Sequence, residues 1–291
     1  MPLNTKLDTG DFVVLAEMEP PKGVDVSQMV TNATRVKGMV DAFVVPEMSN
    51  AVMRMSALGG AVVLQMKGLP TVMQVNCRDR NRLALQADLL AAGACGVDSI
   101  MAVAGEDPSY GDHHQARTVN DIDIDQLLSV ISGLQAGKDM AGIELAGAPR
   151  FTVGAACQFG AVGKSPEMEV AALKQKMAAG VRFFITPPLF DVSAMEPYML
   201  KLQAPQPAII PTVLLLKSLG MARYMVRNMN HIRIPEQFIE RIQGAGDKVR
   251  ECIKIAAEVV TSIKRAGYPG VMLATLGWEN RLADILERVQ R

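Results

Sequence analysis

Residues 176–186 read KMAAGVRFFIT, a helical run that stops at Gly180 and gives way at once to a short apolar stretch. Glycine takes the left-handed conformation of a helix C′ position without steric cost, so Gly180 reads as a helix stop. The run VRFFIT is too short for another helix and is rich in Val, Ile and Phe, so it reads as a buried strand. The same unit recurs as RVKGMVDAFVV (35–45), LQMKGLPTVMQV (64–75), LLAAGACGVDSIMAV (89–103) and KRAGYPGVMLAT (264–275). The stop glycines fall at 38, 68, 93, 180 and 267, with gaps of 30, 25, 87 and 87 residues. Since 87 is three steps of 29, the spacing is that of a βα unit with tight αβ turns.

The remaining strands fall into the gaps. FVVLAE (12–17) opens the chain before Pro20-Pro21, and FTVGAAC (151–157) and AIIPTVLLL (208–216) fill the centre. Strands are therefore expected near 12–17, 42–46, 71–76, 98–103, 151–157, 182–186, 208–216 and 270–275. Amphipathic stretches such as DRNRLALQADLLAAG (79–93) and PEMEVAALKQKMAAG (166–180) lie between them. Eight alternating units predict an α/β protein, a (β/α)8 TIM barrel, as a single domain over 1–291. A doubly wound sheet would carry a glycine fingerprint after an early strand, and EMEPPKG after the first has none.

Composition narrows the function. The chain has 291 residues, 49% of them hydrophobic, which suffices for a large core. Thirty basic residues balance thirty acidic ones, which argues against a nucleic-acid surface. An aromatic content of 4% argues against a base-stacking single-strand binder. No apolar run is long enough to insert in a membrane, and MPLNTKLDTGDF has no signal-peptide pattern, so a cytoplasmic protein is expected. Cys77, Cys95, Cys157 and Cys252 are far apart, and the histidines are the adjacent pair His113-His114 plus His231. No sequence-local metal site follows from them.

In such barrels the reactive groups sit where strands end and the βα loops begin. Glu17 ends an apolar strand at that face; a partly buried carboxyl there has a raised pKa and can act as a general acid. The plainer reading is a carboxylate that caps a helix or pairs with Lys22. GAVGKS (160–165) resembles a phosphate loop but has Gln158 where the first glycine belongs. A flexible loop capped by Ser165, with Pro166 at N1, is the reading preferred. NCRDRNR (76–82) offers three arginines to an anion, or a helix capped by Asp79 whose first turns carry solvated charge. Cys77 and Cys157 stand at strand ends with no histidine beside them in sequence. The stretch MSNAVMRMSALGG (48–60) reads as Met-rich helical packing, and Trp278 as packing near the mouth.

Taken in order, AEMEPPK, VNCRDRNR, AVAGEDP, LKQKMAAGVRFFITPPLFD and HIRIPEQF resemble the methylenetetrahydrofolate reductase family, catalytic domain only, from about residue 15 to 240. The resemblance implies a flavin-dependent barrel that reduces 5,10-methylenetetrahydrofolate to 5-methyltetrahydrofolate. It implies FAD, with FMN as the alternative, and NAD(P)H or an electron-delivering partner subunit as the electron source. Glu17 matches the catalytic glutamate that protonates folate N10. Gln74, Asn76, Gly105, Glu106, Asp107, Cys157, Glu169 and Lys176 match cofactor positions, with either Glu106 or Asp107 as the loop acid. Folate contacts fall on Glu17, Glu106 and Pro187. A homo-oligomer is expected.

Several matched positions carry other residues than the family's. Gln74 replaces a histidine, Asn76 a threonine, Ala104 an arginine, Cys157 an aromatic, Pro187 a glutamine and Pro46 a threonine. These substitutions motivate a second reading, a pterin-binding or complex-forming subunit of the same barrel without its own complete redox cycle. A third is a lysine Schiff-base lyase built on Lys217. With zero net charge, the anionic ligands of the first reading require a local field, expected from Lys176 and the arginines at 78–82.

Overall fold

The protein is described by a computed structural model covering residues 2–202, 206–229 and 232–289; His231 lies outside the described residues. The strands are β1 (Val13–Glu17), β2 (Ala42–Val45), β3 (Thr71–Asn76), β4 (Ser99–Val103), β5 (Thr152–Ala156), β6 (Phe183–Pro188), β7 (Ala208–Leu214) and β8 (Gly270–Ala274). Each overlaps an expected strand. They pair in sequence order, all parallel, and β8 closes on β1 through the register Leu15↔Met272. The result is a closed eight-stranded (β/α)8 barrel.

Alternation along each strand divides the core in two. Val13, Leu15, Val44, Val72, Met101, Phe183, Ile185, Ile210 and Met272 form one apolar cluster that fills the lumen. Their neighbours in sequence, such as Ala16, Phe43, Met73, Ile100 and Phe184, belong to a second cluster shared with the helices. Gly154 makes the lumen filling possible, because a Cβ there would stand 2.2 Å from the Phe183 ring. The short helix α1 (Leu3–Thr9) covers the N-terminal end of the barrel and buries Leu3 in the lumen cluster. Lys6 on α1 pairs with Asp41 at 2.5 Å, and Asp41 also accepts from the Val14 N–H.

The outer layer is made of α2 (Ser27–Arg35), α3 (Ala57–Gln65), α4 (Arg82–Ala94), α5 (Ile124–Gln135), α6 (Pro166–Ala178), α7 (Glu196–Met199), α8 (Leu219–Asn228), α9 (Glu236–Gly244), α10 (Lys248–Arg265) and α11 (Leu282–Val289). Gly38, Gly68, Gly180 and Gly267 adopt the left-handed conformation expected of helix stops. Gly93 does not. It lies inside α4, where an added Cβ would meet Pro149 at 2.9 Å, and Gly96 is the left-handed glycine beyond that helix. Close packing, not chain reversal, accounts for Gly93.

Two further local expectations are corrected. The cap of α4 is Asn81, whose side chain accepts from the Leu83 and Ala84 N–H groups, because Asp79 is occupied by Arg78. The segment 48–56 is not helical packing: Met48, Asn50 and Ala51 have φ near 50°, and α3 begins only at Ala57 behind the Ser56 cap.

Candidate active site

The lumen faces of the strands deliver their last side chains to one mouth. Glu17 continues the Val13–Leu15 row and stands above the apolar filling. Burial is the largest influence on it and lifts its carboxyl from 4.5 to about 7; the negative charges of Glu19 and Glu279 add to the effect. A hydrogen bond from the Leu276 backbone opposes the shift, and Glu106 contributes a further rise. Glu17 therefore holds a proton near neutrality, as a general acid must. Lys22 does not pair with it; that lysine is bound to Asp112.

The acids around Glu17 come from three loops. Glu19 is paired with Arg54 at 2.9 Å, and burial pushes its carboxyl up. Glu279, in the β8 loop, is buried and accepts from the Gly277 N–H. Glu106 lies in the β4 loop. Lys217 answers this side of the mouth, donating to the Leu276 carbonyl with its ammonium 5.4 Å from the Trp278 ring centre.

The β3 end is a network of its own. Asn76 is buried and holds the Glu47 carbonyl and Asp79. Gln74 accepts from the Glu47 N–H, and the buried Glu47 carboxylate accepts from Ala57 N–H and faces Arg80 at 3.3 Å. Arg78 binds Asp79, Arg80 also binds Asp88, and Arg82 binds Asp121. All three arginines are thus matched by carboxylates. The positive field expected from them is cancelled locally, which corrects that expectation.

On the β5 side the picture divides. Cys157 belongs to the helix-facing cluster, its Sγ 3.4 Å from the Ile185 carbonyl, and burial pushes its thiol up to about 12. Cys77 is likewise buried, with its thiol pushed up to about 11, so neither is a poised nucleophile. Glu169 is buried, and its two oxygens accept from the Gly160 and Ala161 N–H groups. It shapes the loop that the sequence likened to a phosphate cradle. Ser165 caps α6 with Pro166 at N1, as the plain reading of GAVGKS expects, and Lys164 donates to Gln158. Lys176 is half-buried, its pKa lowered mainly by desolvation, and donates to the Ala156 carbonyl.

Beyond β6 a cavity of about 320 Å³ opens among Phe159, Pro187, Pro188, Phe190, Tyr198 and Arg233. Phe159 and Tyr198 stack at 4.2 Å along its side. Pro187 thus presents a rigid apolar wall.

Backbone strain marks the same face. Among the described residues, the five non-glycine residues with positive φ are Met48, Asn50, Ala51, Asn120 and Leu276. All five lie in βα loops at the mouth, where strain is commonly stored for function. Among the described residues there is no cluster of three or more metal-ligating side chains, and no helix long and apolar enough to cross a membrane.

A family model described as methylenetetrahydrofolate reductase matches residues 2–290. The chain belongs to that family. No curated protein matches the sequence. Among solved structures, EDTA monooxygenase (EmoA) from Chelativorans sp. BNC1 is similar over 96% of this chain and 93% of its own, with a TM-score of 0.57 and 11% identity. At that identity the likeness speaks for the barrel alone.

Of the positions matched to the methylenetetrahydrofolate reductase family, the structure brings Glu17 and Glu106 to one side of the mouth. Gln74 and Asn76 stand beside them at the end of β3 and Gly105 in the loop after β4, with Asp107 capping the short turn there through the Ser109 N–H. Lys176 and Pro187 border the mouth from α6 and β6. Cys157 and Glu169 are turned to the scaffold. Sequence reasoning missed Arg54. Glu47 and Glu279 stand in the segments after β2 and β8, where a barrel mouth is expected, but their partners emerge only from cross-loop pairing and loop geometry.

Proposed function

We propose that this protein reduces 5,10-methylenetetrahydrofolate to 5-methyltetrahydrofolate with a bound flavin. The observation that carries this reading is Glu17, a carboxyl lifted to about 7 at the mouth of a barrel of this family. Protonated Glu17 would donate to a folate nitrogen and open the five-membered ring, and the adjacent acids would stabilise the cationic iminium that results. A bound flavin would supply the hydride.

The donor set fits a polar cofactor at two places. Among the described residues the Lys176 ammonium has one acceptor, the Ala156 carbonyl, which leaves donors for ribityl or phosphate oxygens. Gln74 uses its oxygen on Glu47, which leaves its amide NH₂ for a ring acceptor. Electrons are assigned to NAD(P)H or to a partner protein, separable by anaerobic stopped-flow reduction with each donor.

The second reading, a pterin-binding subunit without its own redox cycle, draws on Cys157 and Glu169 being committed to the scaffold and on the neutralised arginines. The visible spectrum of purified protein, with extracted cofactor identified by mass, decides between them. A yellow protein whose bound chromophore is reoxidised by methylenetetrahydrofolate supports the first. Colourless protein that takes up neither FAD nor FMN, yet binds tetrahydrofolate, overturns it.

A further inference from the structure

The cavity beyond β6 originates in the sequence of that strand. Pro187 and Pro188 close β6 without backbone N–H groups, so two ladder donors are missing where the strand leaves the sheet. The register with β7 shifts between Ile185 and Pro188. Two threonines satisfy backbone groups at this irregularity. The Thr212 hydroxyl donates to the Thr186 carbonyl at 2.6 Å, and the Thr186 hydroxyl accepts from the Thr212 N–H at 3.1 Å. The irregular strand end borders the space of about 320 Å³ described above.

A second wall is equally fixed. Phe159 is 6% exposed and stacks on Tyr198, with ring centres 4.2 Å apart and planes 17° from parallel. The loop that follows Phe159 is pinned by the buried Glu169 carboxylate, which accepts from the Gly160 and Ala161 N–H groups at 3.2 and 3.0 Å. Stacked rings and proline faces make a preformed lining for a flat ring, so little order has to be created on binding.

Two charged side chains share this lining. Arg233, exposed in the segment before α9, has no ion-pair or hydrogen-bond partner among the described residues. Asp191 accepts the Ser193 N–H at 3.0 Å with one carboxylate oxygen, and the other has no donor among the described residues. A free guanidinium suits a carboxylate, which it can bind through two parallel hydrogen bonds. A free carboxylate oxygen suits an N–H donor. A phosphate dianion fits poorly, because one cation answers two charges and Asp191 repels both.

We propose that this cavity binds a flat aryl carboxylate that also carries an amide or amine N–H. The ring lies against the aromatic pair and the prolines, the acid on Arg233 and the N–H on Asp191. Two sources share this chemistry: the aminobenzoylglutamate end of a folate, and a separate aryl-amide acid bound beside the substrate. Only the first source rests on the reading above; the pocket itself does not.

Full-length protein carrying 3-fluorotyrosine is titrated with p-aminobenzoylglutamate and followed by ¹⁹F NMR. The chain has four tyrosines, and Tyr198→Phe identifies the signal of Tyr198. That signal is expected to move while those of Tyr110, Tyr224 and Tyr268 stay in place. Arg233→Ala should weaken binding by about tenfold or more. Ala194→Phe, a filling substitution at an exposed lining position, should abolish it. Adenosine 5′-monophosphate, flat but carrying a phosphate, should bind at least about tenfold more weakly than the fragment. The three other tyrosine signals report that each variant is folded. A Tyr198 signal unmoved by millimolar fragment overturns the proposal. So does Arg233→Ala protein that binds as wild type does, or adenosine monophosphate that binds as tightly as the fragment. Tetrahydrofolate added to the loaded protein separates the sources within the proposal. Displacement of the fragment assigns the pocket to the substrate's own arylamide end, and simultaneous binding assigns it to a second ligand. The titration needs neither flavin nor turnover. Protein that binds the fragment but reduces no methylenetetrahydrofolate would sink the proposed reaction and leave the pocket standing.

Discussion

Glu17 is costly to the fold and useful to the site for the same reason. Its carboxyl binds a proton up to about pH 7 when folded, against 4.5 as a free side chain. Below pH 4.5 both states are protonated and no penalty exists. Between 4.5 and 7 the unfolded chain ionises and the folded one does not, so stability falls as pH rises, and above 7 the full cost is present. Glu17→Gln should leave stability unchanged at pH 4 and raise it at pH 8 by on the order of 3 kcal/mol, readable in urea melts at the two values. The same substitution should cut turnover roughly a hundredfold, while wild-type activity should decline above pH 7 as the proton is lost. The position of Glu17 was legible in the sequence because a lone acid ended an apolar strand. Its neighbours Glu19 and Glu279 were legible as mouth residues but not as the charges that raise it. A contrasting residue is Gly154, whose role could not be read, since the ring that fills its missing side chain belongs to β6. Gly154→Ala should destabilise by about 1–3 kcal/mol through overpacking against Phe183, measurable as a lower Tm with the barrel retained.

At the scale of elements, the strands were legible almost to their ends and the loops hardly at all. A strand buried on both faces announces itself as a short apolar run after a helix stop. A loop is defined by pairings between distant segments. Asp112 shows the difference: it accepts from Lys22 in the β1 loop and from the Met53 N–H in the β2 loop, and bonds His113 beside it. The backbone of Gly111 lies against Ala51, where no side chain would fit. These contacts tie the β1, β2 and β4 loops into one unit over the mouth. Asp112→Ala should free the β4 loop without melting the barrel. Limited proteolysis is expected to cut between residues 105 and 122 at least several-fold faster than in wild type, with Tm within a few degrees. Equal cleavage rates would show that Asp112 does not hold the loop. The same logic explains why Gly93 was misread and Gly96 overlooked: both sit near the end of α4, and only the proximity of Pro149 separates a packing glycine from a stop.

At the scale of the whole molecule, zero net charge conceals an uneven distribution. The arginines that seemed available to an anion are consumed by Asp79, Glu47, Asp88 and Asp121, and the mouth is left with acids gathered around Glu17. Substrate capture should accordingly gain little from electrostatic steering. The apparent KM for an anionic folate is expected to change less than about twofold between 50 and 300 mM salt, whereas a tenfold rise would point to an uncompensated basic patch.

The left-handed residues of the mouth have a consequence for how this protein can be improved. Met48, Asn50, Ala51, Asn120 and Leu276 each hold a backbone shape that L-amino acids adopt reluctantly, at on the order of 1 kcal/mol apiece. The barrel wall and lumen are already filled, so an engineer seeking heat resistance has little to add there. Glycine at Asn50 or Ala51 would release the tension at the rim and lift the melting temperature. The gain would come from the region that shapes the catalytic opening, so thermal endurance and turnover are set to trade against each other in the same few peptides.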